Sequence, residues 1–371
     1  MIKMIDLKRE IDLYRDEIDR AIKISLETSH FIMGPNVENF EKNVAGYLNT
    51  KFARGVANGT DALILSLKSA SVGSGDEVIT TPFTFIATAE AIVHCGATPV
   101  FADVDIATMN IAPKEIIKKI TKRTKAIIVV HIFGNPCNMQ EIMDIATTNN
   151  LTVIEDAAQA FGAKVTDKNI GTIGDIGCFS FFPTKNLSCY GDGGLIVTNN
   201  EDIYNKVKTL QNHGSSQKYY HNAIGYNSRL DDIQAAILNV KLKYVDVHNK
   251  KRRDIARFYI DNLQNYLSFQ REYPESKNVY HQFTIRCPAH ISRDVLQKFL
   301  QENCIETSIY YPLPLHLQES IRKLGIKCTD LENAEELSKK VLSIPMHPYL
   351  KQQELMAIIE KIRCFFENRA Y

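Results

Sequence analysis

Between residues 77 and 155 short apolar runs recur at intervals: Val78-Ile79, Pro99-Val100-Phe101, Ala126 to Val130 and Leu151 to Ile154. None shows the polar alternation of a strand with one wet face, so each predicts a strand covered on both sides. Between them lie stretches of helical period. In Lys114 to Ile120, the residues Ile116, Ile117 and Ile120 are expected on one buried face, with the lysines outside. This alternation predicts an α/β fold, with a large domain whose mostly parallel central sheet is flanked by helices. Ligands of such sheets gather at the carboxyl ends of the strands, which is where chemistry is to be sought.

A polar stretch containing glycine and tyrosine, His213 to Arg229, interrupts the pattern before a long helical region from Leu230 to about Leu263. It is too long for a simple connector. It therefore reads as a segment that lines a site or crosses to a partner subunit, with a mobile surface loop as the alternative. Past about residue 245 charged helices mix with short strands, Gln282 to Cys287 and Glu306 to Tyr311. The division expected is 1–245 for the large domain and 246–371 for a smaller C-terminal α/β domain. The basic quartet Lys250 to Arg253 reads as a solvated helix face, because Asp246, Asp254 and Asp261 dilute it.

Composition narrows the function classes. With 371 residues, 44% of them hydrophobic and 23% charged, the chain is too apolar for intrinsic disorder. A formal net charge of +1 offers no global field for nucleic acid or an anionic membrane, so neither partner is expected and any anion site must be local. No apolar run approaches the ~18 residues that span a bilayer. Eight cysteines without a C-x-x-C pair, and an opening MIKMIDLKRE without a signal-peptide apolar core, predict a cytoplasmic protein with reduced thiols. No metal site is expected.

Three segments carry candidate chemistry. The strand Leu151 to Ile154 delivers Glu155, Asp156 and Gln159 at its carboxyl end; Asp156 is either a site carboxylate or the cap of a following helix. Lys185 stands in the apolar, aromatic setting Phe179-Ser180-Phe181-Phe182-Pro183-Thr184. Desolvation lowers the pKa of such an amine and makes it a nucleophile toward an aldehyde, whereas a surface lysine after a proline turn would do nothing. Gly59-Thr60 opens an apolar helix through Leu63, Ile64 and Leu67, and its free amides suit a phosphate dianion, although a plain threonine cap reads the same way. Phosphate grip, carboxylate and imine-forming lysine are together what pyridoxal 5'-phosphate requires.

These residues resemble the DegT/DnrJ/StrS-type sugar aminotransferases of the fold type I pyridoxal-phosphate class. The resemblance runs over nearly the whole chain, through Asn58 to Leu63, Gly75 to Ile79, Thr84-Phe85-Ile86-Ala87-Thr88, Glu155 to Ala160, Ser180 to Asn186, Gly191 to Gly194, Gly225 to Leu230, Gln234 to Ala236 and Tyr310 to His316. It implies that Lys185 holds the cofactor as a Schiff base, that Asp156 pairs with the pyridinium nitrogen, that Gln159 binds the ring hydroxyl and that Phe85 stacks on the cofactor face. Gly59, Thr60 and Ser180 would grip the phosphate, completed by Asn227 from the neighbouring subunit of a homodimer with shared active sites. Phe182, Arg229, Tyr311 and His316 are the implied substrate contacts. The implied reaction moves the amine of L-glutamate to a keto group of a nucleotide-linked sugar, for surface polysaccharide or deoxyamino-sugar synthesis. An aromatic residue at 182, three before the lysine, points to carbon 3, where members acting at carbon 4 often carry histidine. The start Ile5-Asp6-Leu7-Lys8 and the closing Leu342 to Leu350 are similar to those of enzymes acting on a 3-keto nucleotide sugar. The carbon-4 reaction and a cofactor-binding regulatory homologue remain the alternatives.

Overall fold

The computed structural model describes residues 1–368. Seven strands form the central sheet: β1 (Phe52–Val56), β2 (Glu77–Thr80), β3 (Thr98–Phe101), β4 (Thr124–Val130), β5 (Thr152–Asp156), β6 (Ile176–Ser180) and β7 (Gly194–Thr198). Their order across the sheet is β1-β7-β6-β5-β4-β2-β3. The pairs β2·β3, β2·β4, β4·β5 and β5·β6 are parallel, and β7 alone runs antiparallel to both of its neighbours. The register places Val130 opposite Asp156, Asp156 opposite Cys178 and Ser180 opposite Gly194. The carboxyl ends of β4, β5 and β6 therefore meet at one edge, beside the start of β7.

The absence of polar alternation has its explanation in two cores. Successive strand residues point to opposite faces. Ile127, Val129, Val153, Phe179 and Val197 enter one core with Phe40, Val44, Ile142 and Leu238. Ala126, Ile128, Ile154, Cys178 and Ile196 enter the other with Leu63, Leu67, Ile92 and Val207. After α1 (Leu7–Thr28), α2 (Pro35–Leu48) covers the first face with the helix Met139–Asn149 and the helix Asp232–Leu242; the second is covered by α3 (Gly59–Ser69), α4 (Ala87–His94) and the helix Glu201–Leu210.

A separate core gathers Ile255, Tyr259 and Leu263 with Phe283, Ile285, Leu342, Ile344, Leu355, Ile359 and Phe365. Its sheet is antiparallel, Ser268–Phe269 and Val341–Ile344 flanking Phe283–Arg286. The N-terminal segment joins this part, where the Ile2 amide donates to the Cys304 carbonyl at 2.8 Å.

Four expectations need correction. The region Leu230 to Leu263 is two helices, Asp232–Leu242 and Val245–Leu263. No glycine or proline marks the break, so composition could not show it. Glu306 to Tyr311 is not a strand: Ser308 and Ser343 exchange two bonds, of 3.1 and 2.8 Å, and the chain then leaves toward Gln159. Ile117 is 57% exposed, because one residue turns a helix by about 100° and carries it off the face of Ile116. Arg252 is buried rather than solvated, its Nη1 donating to the carbonyls of Tyr280 and Met346 at 3.1 and 3.0 Å. The polar stretch from His213 folds in part into a small hairpin, Ser215–Gln217 with Tyr220–His221.

Candidate active site

Strand β5 ends in two carboxylates that alternation sends to opposite faces. Glu155 is fully buried and accepts from His131 Nε2 at 3.0 Å and from the amides of Gly171, Ile173 and Gly174 at 2.8, 2.7 and 2.6 Å. Every donor belongs to the scaffold, so Glu155 fastens the loop before β6. Asp156 faces the other way. Its Oδ2 accepts from Thr88 Oγ1 at 2.9 Å and its Oδ1 from the Ala158 amide at 3.2 Å. A turn follows rather than a helix, so the helix-cap alternative for Asp156 falls. Burial pushes its carboxyl above the usual range, opposed by the Thr88 and Ala158 donors and by the charge of Lys185.

Lys185 is half-buried, and desolvation pushes its ammonium down to about 8, with the charge of Asp156 acting the other way. That a carboxylate and an ammonium influence each other in a site that disfavours both charges is the electrostatic signature of groups kept reactive. The next residue is pinned. Asn186 Nδ2 donates to Asn249 Oδ1 at 2.8 Å and to the Val279 carbonyl at 3.0 Å, leaving its Oδ1 for His281 Nδ1 at 3.2 Å. The His281 ring therefore carries its proton on Nδ1, and burial together with the Lys185 charge keeps it neutral, far below its usual range.

At the same edge α3 begins. Its cap is Asn58, whose Oδ1 accepts the Asp61 amide at 2.8 Å, so Thr60 is not the cap. The Asn58 carbonyl takes the Ala62 amide, and the amides of Gly59 and Thr60 have no partner among the described residues. A Cβ on Gly59 would stand 2.8 Å from Ser180 Cβ, and one on Gly194 would stand 2.3 Å from the Asn58 carbonyl. Glycine at both positions is what lets the end of β6 and the start of β7 approach the start of α3, with the Ser180 side chain beside Gly59. Two free amides and a hydroxyl beside a helix N-terminus suit a phosphate.

Gln159 is oriented at both ends. Its Oε1 accepts the Phe133 amide at 2.6 Å and its Nε2 donates to the Tyr311 hydroxyl at 3.1 Å. Phe85 is 56% exposed and lies 6.4 Å from the Tyr311 ring, a large apolar face left open beside the site. Phe182 is likewise 50% exposed. The remaining sequence candidates have other partners. Asn227 is exposed and bridges to Asn212, and Arg229 donates to Asn212 Oδ1 at 3.3 Å. His316 is buried, its Nε2 3.1 Å from Glu335 Oε1 and its ring beside Phe101. None of these three bonds to Lys185, Asp156 or Ser180 among the described residues.

Sequence reasoning missed Thr88, His281, Asn249 and the division of labour between Glu155 and Asp156. Thr88 lay within a segment singled out for Phe85, which was its only signal. A narrow cavity of about 20 Å³ beside Lys185 is bounded by Asp6, Glu10, His248, Arg252, His347 and Tyr349. The opening and closing segments of the chain thus meet at the flank of the lysine. Among the described residues no group of three or more His, Cys, Asp or Glu side chains is placed to hold a metal ion, and no helix is long and apolar enough to cross a membrane.

A doubly covered sheet with a desolvated lysine and a carboxylate at its carboxyl edge defines an aminotransferase of the α/β class. The chain belongs to the DegT/DnrJ/EryC1/StrS aminotransferase family, which matches residues 13–363. It is 44% identical to a "Pleiotropic regulatory protein" of Geobacillus stearothermophilus, over the whole of both chains. It is 43% identical to the UDP-N-acetyl-3-dehydro-alpha-D-glucosamine 3-aminotransferase of Acidithiobacillus ferrooxidans, covering 98% of this chain and 97% of that one. Identity to the dTDP-3-amino-3,6-dideoxy-alpha-D-galactopyranose transaminase of Aneurinibacillus thermoaerophilus is 40%, over 98% and 99%. Among solved structures, DesV of S. venezuelae superimposes with a TM-score of 0.95 at 36% identity over 98% of each chain. NtdA of Bacillus subtilis, with PMP bound as its cofactor, gives 0.92 at 30% over 99% of this chain and 85% of that one.

Proposed function

We propose that the protein is a pyridoxal 5'-phosphate-dependent aminotransferase that moves the amine of L-glutamate to the carbon-3 keto group of a nucleotide-linked sugar. The observation that carries this is the convergence at one sheet edge of Lys185, Asp156, Ser180 and the free amides of Gly59 and Thr60. The names of the Acidithiobacillus and Aneurinibacillus relatives support carbon 3, as does the aromatic Phe182. The NtdA structure supports the cofactor.

The residues fit that group. At Gly59 and Gly194 the start of α3 and the sheet close on each other, which sets the Ser180 side chain beside the free-amide end of the helix, and the buried Asp156 carboxylate lacks the full counter-charge that a pyridinium would bring. Bound pyridoxal phosphate supplies a carbonyl that takes up an amine and a ring that spreads negative charge. This chain's residues do the rest. Gly59, Thr60 and Ser180 hold the phosphate, with Asn227 of a second copy completing the grip in a homodimer. Asp156 holds the proton at the ring nitrogen. Gln159, fixed by Phe133 and Tyr311, turns its remaining N–H to the ring hydroxyl. Phe85 covers one face of the ring and limits water. The amine of Lys185, near half-deprotonated at pH 8, would take up and return the proton of the donor's α-carbon. Arg229, Tyr311 and His316 are assigned to the sugar side, and the chain divides near residue 245 into a cofactor-binding part and a smaller one.

The name of the Geobacillus relative keeps the regulatory reading open, because that protein matches this chain end to end. One experiment separates them. The purified protein is supplied with pyridoxal phosphate, L-glutamate and a panel of 3-keto and 4-keto nucleotide sugars, and products are identified by mass and NMR. A 3-amino product with 2-oxoglutarate is expected. A 4-amino product overturns the carbon assignment, and cofactor binding with no product from any sugar favours the regulatory reading.

A further inference from the structure

The segment Thr84-Phe85-Ile86-Ala87-Thr88 leads into α4, and the reading above uses only its phenylalanine. Both threonines are buried, Thr88 to 1% exposure. Threonine in the first turn of a helix commonly bonds to nearby backbone. Thr88 instead reaches across to β5, where its Oγ1 lies 2.9 Å from Asp156 Oδ2. A hydroxyl has one hydrogen to give. Since Thr88 gives its own to the carboxylate, the 3.4 Å contact between Thr84 Oγ1 and Thr88 Oγ1 runs from Thr84 as donor to Thr88 as acceptor. The chain of donors is directional: Thr84 to Thr88 to Asp156. The Thr88 amide, in turn, donates to the Phe85 carbonyl at 3.3 Å, so the turn that presents the Phe85 ring also aims this hydroxyl.

We propose that Thr88, oriented by Thr84, is a positioning residue that holds the Asp156 carboxylate in one rotamer, as an anion, facing the ring nitrogen of the cofactor. The inference rests on the reading of Asp156 given above. It accounts for why a carboxylate 7% exposed can serve without a permanent cation. Burial opposes its charge, and the Thr88 hydroxyl is the largest single influence working the other way, ahead of the Ala158 amide and the charge of Lys185. The other titratable neighbours are His131, which is bonded to Glu155 on the opposite face, and Tyr311, Cys137 and Cys178, each of which the Asp156 charge helps to keep protonated. Phe85 and Thr88 thus act at two places on one ring, through a single helical turn.

The test uses holoenzyme reconstituted with pyridoxal phosphate labelled with ¹⁵N in the ring, whose chemical shift reports the proton on that nitrogen. Thr88→Val keeps the shape and removes the donor; Thr88→Ser keeps the donor; Thr84→Val removes only the support. In the parent and Thr88→Ser the nitrogen is expected to stay protonated through neutral pH. In Thr88→Val its midpoint should fall by about one pH unit or more, a roughly 10-fold change, since the lost bond is to a charged group. Thr84→Val should shift it in the same direction by less. The cofactor-free proteins provide a second readout: Thr88→Val should lose stability relative to the parent above the Asp156 midpoint and regain parity in acid, where the carboxyl is neutral. Should Thr88→Val not fold, the Thr84→Val shift decides alone. A Thr88→Val nitrogen that titrates as in the parent overturns the proposal, provided Asp156→Asn moves it. If Asp156→Asn itself leaves the nitrogen unchanged, the assignment of Asp156 fails first.

Discussion

The state of the Lys185 amine can be worked through quantitatively. Desolvation brings its midpoint from the ordinary 10.5 to about 8. At that midpoint about one tenth of the amine is free at pH 7, half at pH 8 and nine tenths at pH 9, against roughly 0.03% at pH 7 for an ordinary lysine, a gain of about 300-fold in nucleophile. The perturbation is pH alone. Cofactor-stripped protein is pulsed with formaldehyde and cyanoborohydride between pH 6 and 10, and methylation of each lysine is read by peptide mass spectrometry. A short lysine-containing peptide, free in the same solution, serves as the reference. Restricted access scales the Lys185 rate equally at every pH, so the shape of the profile reports the midpoint. Lys185 methylation should level off above pH 9, while that of the peptide lysine, with the ordinary midpoint of about 10.4, continues to climb steeply. Because the charge of Asp156 favours the ammonium, Asp156→Asn should move the Lys185 midpoint below 8. A constant ratio of Lys185 to the peptide lysine across the range would refute the argument that burial keeps this amine available.

Glu155→Gln should fold poorly or lose on the order of 3–5 kcal/mol in urea denaturation, because it removes a buried acceptor of four hydrogen bonds and turns an amide N–H toward backbone donors; stability within 1 kcal/mol of the parent would mean the loop is held by something else. If Asn227 completes a neighbour's site, then mixing Lys185→Ala with Asn227→Ala subunits that are shown to exchange should restore part of the activity. Each mixed dimer would carry one site with both lesions and one with neither. Activity no higher than the average of the two parents would place Asn227 in its own subunit's site.

The strands were legible because both faces of the sheet are covered, so unbroken apolar runs such as Ala126 to Val130 had no other reading. Helix boundaries in Leu230 to Leu263 were not, since the interruption at Lys243 and Tyr244 is made by geometry that no residue type announces. The apparent strand Glu306 to Tyr311 shows the same limit from the other side. Its β-favouring residues pair once, at Ser308, and are then drawn away by the contact of Tyr311 with Gln159.

For the site, what could be read were the residues whose chemistry is unusual for their surroundings: a lysine among phenylalanines, carboxylates closing an apolar strand. What could not be read were residues whose importance lies in orientation. Asn186, Asn249 and His281 are ordinary polar residues until a shared hydrogen-bond pattern assigns each donor, from His281 Nδ1 through the two amides to the Phe161 carbonyl. That chain joins the lysine-bearing segment to Val245–Leu263 and to the start of the small sheet, three stretches with no regular spacing between them. Likewise Glu155 and Asp156 are adjacent and chemically alike, and only the two-residue period of β5 tells them apart, sending one to the scaffold and the other to Thr88. The same alternation that made the strand recognisable therefore decides which carboxylate can act, but it does so only once the helix bearing Thr88 is known to cover that face.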